Sequence, residues 1–165
     1  MYLIIIIISI IILYNIFLVF FNTKIITLEN IILKLFTKRW NLIPSMYDIT
    51  YNYINKHDEV FKEILKLRKN QITQYSQNNF LENINNEALI HKEINFIFNV
   101  CNKNPKIQKN EKFLLIRDNF LEQSNLISEK IELYRKIIKN FNNFLKFKNL
   151  TIIWLFINLN KKENI

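Results

Sequence analysis

No glycine occurs anywhere in the 165 residues. Glycine is the residue that reaches positive φ without steric cost, and tight two-residue hairpins depend on it. A chain with none, and with only Pro44 and Pro105 as proline breaks, could turn hairpins only through Asn. The absence also removes every phosphate cradle built on glycine, from the Rossmann fingerprint to the P-loop. An all-helical chain is the expectation. Its single cysteine, Cys101, excludes an internal disulfide and a cysteine-based zinc site. Ile, Asn and Lys make up nearly half of the residues, and all three have A/T-rich codons. The many asparagines are therefore read as coding bias and not as a prion-like tract.

Residues Tyr2 to Phe21 read YLIIIIISIIILYNIFLVFF, twenty residues without a charge. As a helix that length matches the roughly 30 Å hydrocarbon core of a bilayer. Apolar side chains lie on all faces, which a buried helix of a soluble protein does not need. No Lys or Arg precedes the run, and no Ala or Gly cleavage site follows it, so a permanent anchor is favoured over a signal peptide. Lys24, Lys34, Lys38 and Arg39 follow the run. The positive-inside rule then predicts a single-pass protein of the cell membrane with its C-terminal part in the cytoplasm.

Beyond the run, apolar positions recur at steps of three and four, the period of a helix seam. The first seam is Ile25, Leu28, Ile32, Leu35, Arg39 and Leu42, with an arginine in the stripe. Pro44 is expected to break or re-aim this helix. A second helix carries Met46, Ile49, Tyr53, His57, Val60, Ile64 and Leu67. The polar stretch Asn70 to Asn86 reads as a helix end plus loop. A third helix carries Ile90, Ile94, Ile97 and Cys101 and stops near Pro105. The fourth runs from Phe113 through Ile116, Phe120, Ser124, Ile127, Ile131, Tyr134, Ile138 and Phe141 to Leu145. Four buried seams predict an antiparallel up-and-down four-helix bundle. The expected organisation is an anchor at 2–21, a bundle at 22–149, and an apolar then basic tail at 150–165. The tail stretch LTIIWLFI is too short to span; it suits the bilayer interface or a cap on the bundle.

Several short strings occur in a definite order. Tyr14-Asn15 lies late in the apolar run, and RWNLIPS occupies Arg39 to Ser45. Tyr53 lies nine residues after Pro44, and Leu67-Arg68 follows in the same helix. Pro105 precedes Asn110-Glu111-Lys112-Phe113, and the last helix holds Glu122, Ile127, Tyr134 and Phe141-Asn142. In order and spacing these strings resemble the LemA family. There, a span ends near Tyr-Asn, a basic residue precedes Leu-Ile-Pro-Asn, and similar motifs follow along the chain. The sequence departs from that pattern at Ser45, at His57 in place of a glutamate, and at Ser124 and Ile131 in place of a glutamate and an arginine. It departs again at Phe147-Lys148-Asn149-Leu150 after the last helix. The resemblance implies a membrane-anchored up-and-down helical bundle with no established enzymatic activity. Some relatives take part in membrane-associated processes such as shaping magnetosome membranes.

No catalytic or metal constellation stands out. His57 and His91 lack a Cys or His three or four residues away, and a metal site needs three or four converging ligands. Cys101 on an apolar stripe reads as a small hydrophobe. Glu59 and Glu63 share a face with Lys56, Lys62 and Lys66 close by, as on a solvated helix surface. Arg39 and Tyr134 are the seam residues with polar ends. For Arg39 the expected acceptors are Asp58, Glu59 or carbonyls near Pro44. Pro44, Tyr53, Arg68, Pro105, Phe113 and Asn142 complete the candidate structural positions. The formal charge of +9 suits attraction to anionic lipid. The functional expectation is a non-enzymatic scaffold or interaction protein at the bilayer, without cofactor, meeting membrane or cytoplasmic proteins. The rival is a membrane-tethered basic protein that binds nucleic acid, although its lysines are dispersed and no recognition motif is present.

Overall fold

The computed structural model describes residues 2–72 and 80–146; for Asn70, Gln71 and Ile72 it describes the backbone alone. All the described elements are helices, and no strand occurs among the described residues. They are α1 (Tyr2–Trp40), α2 (Leu42–Thr50), α3 (His57–Ile72), α4 (Phe80–Cys101), α5 (Pro105–Gln108) and α6 (Glu111–Leu145). The tail from Leu150 onward lies outside the described residues.

The apolar run and the first amphipathic seam form one unbroken helix, α1. It ends at Trp40, three residues earlier than the proline suggests. Pro44 has no N–H to give the Trp40 carbonyl, so the ladder cannot pass through this point. The chain therefore takes one turn residue at Asn41 and starts α2 at Leu42, which places Pro44 in a first turn where a missing N–H is tolerated.

The second helix read from the spacing is in fact two, α2 and α3, separated by turns over 51–56. Tyr51, Asn52, Tyr53, Ile54 and Asn55 are all weak helix formers, and Lys56 has φ 56°. Side chains hold the corner. Thr50 Oγ1 lies 3.0 Å from His57 Nε2. Tyr47 donates to Asp58 across 2.6 Å, a bond that, with burial second, raises its phenol to about 12. The His57 ring is stacked on Phe61, with centroids 4.5 Å apart.

The third helix begins at Phe80, ten residues before Ile90, so the helix claims much of the polar stretch; residues 73–79 are outside the described set. α5 carries Pro105 at its first position, and Asn104 caps it by accepting from the Lys106 amide at 3.0 Å. Asn110 caps α6 in the same way, accepting from the Phe113 amide at 3.1 Å. Both are the roles that asparagine fills best at a helix start.

The residues cluster into two compact units. One comprises Met1–Ile31 and the chain from Glu129 on. Its buried residues include Leu18, Ile25 and Leu28 of α1 and Ile138, Phe141 and Leu145 of α6. The other comprises Ile32–Ser128. Its core includes Phe36, Trp40, Ile43, Met46, Phe61 and Phe113, and within it α3 packs on α4.

Candidate functional site: a buried ion pair and its ring of aromatics

In the Ile32–Ser128 unit, two adjacent residues at the end of α1 meet one carboxylate. Arg39 is 3% exposed and Glu87, on α4, 5%. Their side chains form an ion pair. Trp40 Nε1 donates to Glu87 Oε1 at 2.9 Å. Arg39 also donates to Ser124 Oγ on α6 at 3.2 Å, and Ser124 in turn donates to the Phe120 carbonyl at 2.9 Å. The guanidinium sits over the Phe120 ring, 5.4 Å from its centroid. Phe98 stands edge-on to both Phe120 and Phe113, at 5.7 and 6.3 Å. Arg39 and Phe113 are thereby brought into one cluster.

The expected acceptors of Arg39 are corrected by this arrangement. Asp58 is engaged with Tyr47 and Glu59 with Lys56 at 3.3 Å, at the surface, while the carboxylate facing Arg39 comes from Glu87. It escapes sequence reading because it directly follows the polar stretch and is itself polar. The signal was present: Phe80, Asn83, Glu87, Ile90 and Ile94 continue one seam at steps of three and four, and all are buried. Ser124, which stands where the family pattern has a glutamate, is in contact with the same guanidinium.

The remaining candidate residues fall elsewhere. The Tyr53 carbonyl accepts from Asn104 Nδ2 at 2.7 Å, so the α2–α3 corner and the start of α5 at Pro105 are tied together. Pro44 and Arg68 are half-buried on α2 and α3. Tyr134 and Asn142 belong to the other unit. There Tyr134, 2% exposed, donates to Glu29 Oε1 at 2.8 Å. Burial first, and then this bond, raise its phenol above the ordinary value. Glu29 is the second carboxylate that the seam reading passes over, because it stands beside Leu28.

The Arg39 cluster is a buried network of charge and hydrogen bonds. The Ser124 hydroxyl is committed to a helix carbonyl. His91, one turn beyond Glu87, has its pKa lowered by desolvation first and by the Arg39 charge second. Burial pushes the Cys101 thiol up to about 12, which keeps it in the unreactive thiol form. No group of three or more His, Cys, Asp or Glu residues able to hold a metal occurs among the described residues. Among the described residues one helix, α1, is long and apolar enough to cross a membrane.

Neither the curated proteins nor the solved structures give a match. Among protein-family models the LemA family matches over residues 28–164. That match takes in Arg39, Glu87, Phe113 and Tyr134, and it extends over far more than half of the sequence: the chain belongs to the LemA family.

Proposed function

We propose that this chain is a membrane-anchored helical scaffold or interaction protein of the LemA type, performing no catalysis itself. Residues 2–21 cross the cell membrane once, and the part from Lys24 onward lies in the cytoplasm as an antiparallel up-and-down four-helix bundle. The observation that carries the reading is the state of the start of α1. Its side chains from Tyr2 to Ile10 are exposed on all sides, and apart from Ser9 all are apolar or aromatic. Water would oppose that exposure at roughly 25 cal/mol per Å² of apolar surface; a bilayer removes the penalty. Because α1 is continuous, the anchor passes directly into the helix that carries Arg39 and Trp40. Its partners are the bilayer itself and other membrane or cytoplasmic proteins.

The experiment is cysteine labelling of intact cells with a reagent that cannot cross the bilayer. Tyr2→Cys is expected to react from outside, and Asn85→Cys only after permeabilisation. Labelling of Asn85→Cys in intact cells, with Tyr2→Cys protected, would refute the orientation.

A further inference from the structure

The apolar run is not bare along its whole length. The nine exposed residues Tyr2 to Ile10 rise about 14 Å, only half of a hydrocarbon core of about 30 Å. The second half of a span must come from Ile11 to Phe21, and there α1 has a covered face that includes Tyr14 and the buried Leu18. What lies beside it is the end of α6. Tyr14 donates its hydroxyl to the Phe144 carbonyl. The Phe17 and Phe21 rings stand 5.6 and 5.5 Å from the Phe144 ring. Phe144 is therefore level with Phe17, four residues or about 6 Å inside the end of the apolar run.

We infer that the last turn of α6 enters the cytoplasmic-side interface of the bilayer beside α1, with Phe144 in contact with acyl chains. This rests on the anchoring reading above. Two independent features agree with it. A helix end leaves its last carbonyls without helical partners, and a site away from water needs donors for them; Tyr14, a polar residue inside the apolar run, donates to one. The outer surface has interfacial character as well: Phe144 is 37% exposed and Phe20 51%, while Asn140 and Asn143 are exposed beside them and can meet headgroup water. Lys24 and Lys146 are also exposed, with stems long enough to carry their charges to the headgroups. The membrane-embedded part is then one helix in the outer leaflet and two at the inner boundary.

The test uses the full chain carrying Cys101→Ala, reconstituted in phosphatidylcholine–phosphatidylglycerol vesicles. Nitroxide labels are placed singly by Ile5→Cys, Phe144→Cys, Asn143→Cys and Leu115→Cys. Collisions with oxygen, which partitions into lipid, are compared with collisions with a water-soluble nickel chelate. The expected oxygen-to-nickel ratio is highest at Ile5. At Phe144 it is several-fold above that at Leu115, with Asn143 between the two. Asn143 gives the same readout without removing a ring. Lipid-type behaviour at Ile5 with water-type ratios at both Phe144 and Asn143 would overturn the inference and leave the anchor standing. A water-type ratio at Ile5 itself would remove the anchor, and the inference with it.

Discussion

Arg39 is the residue at which stability is most exposed to a single change. Its charge is removed from water and matched by Glu87, so removing one partner leaves the other's charge buried without the opposite charge that faces it, at a cost of about 3 to 5 kcal/mol. Arg39→Ala and Glu87→Ala should both show that loss. Arg39→Met should cost less than Arg39→Ala by keeping much of the volume, although it still removes the charge that faces Glu87. The sharper experiment moves the charge. In Glu87→Gln the negative partner is lost, and adding Ser124→Glu puts one back against the same guanidinium. Thermal unfolding of the detergent-solubilised protein, followed by helical circular dichroism, should show the double variant recovering part of the loss. A double variant less stable than Glu87→Gln would show that a carboxylate at position 124 cannot replace the one at position 87 as the partner of Arg39.

Cys101 gives a second test at the same scale. Its thiol should react with a membrane-permeant maleimide only when the protein unfolds. The folded state also holds the thiol proton more tightly than the unfolded chain does, since its value rises from about 8.5 to about 12. Its contribution to stability is complete below about pH 8.5 and declines as the pH rises toward 12. Between about pH 8.5 and 9.5, before most of the tyrosine titration of the unfolded chain, Cys101→Ala should flatten the fall in stability. An unchanged slope would contradict this assignment.

Among the elements, α6 depends on Asn110 for its start, and Asn110→Ala should lower stability by about 1 kcal/mol, read as a shift in the urea midpoint. The far end of the same helix leads to a less obvious expectation. A chain lacking residues 1–21 loses Tyr14, Phe17, Leu18 and Phe21, the side chains beside Phe144 and the neighbouring core. Such a chain should leave the membrane yet associate through the uncovered end of α6. Adding Phe144→Ser should reduce that association in sedimentation velocity. A truncated chain that stays monomeric without the second change would argue that α1 and α6 do not depend on each other there.

For the molecule as a whole, the sequence discloses those helices whose buried faces are apolar. The seams of α6, of the later part of α4 and of α1 beyond the apolar run could be read at their three-and-four spacing, and so could Arg39 as a seam residue. What stayed hidden has a common physical cause. Asn83 and Glu87 are buried polar groups within a seam, and a hydrophobic period cannot register them, so it starts α4 too late and does not point to the partner of Arg39. The α2–α3 corner was missed for the opposite reason. Met46 to Leu67 keeps a helical period through Tyr53 and His57, yet weak helix formers and side-chain bonds from Thr50 and Tyr47 favour a turn. The order of weak motifs carried the family resemblance further than any one of them could.

Anchoring by the bare first half of the apolar run is the feature on which the rest of the reading of this LemA-family chain depends. Alkaline carbonate extraction of membranes containing the intact protein tests it directly, because the treatment strips proteins attached by charge and leaves those inserted in lipid. The protein should remain in the pellet, and replacing Ile6, Ile8 and Ile12 with lysine should move it to the supernatant. Release of most of the unaltered protein at high pH would contradict it.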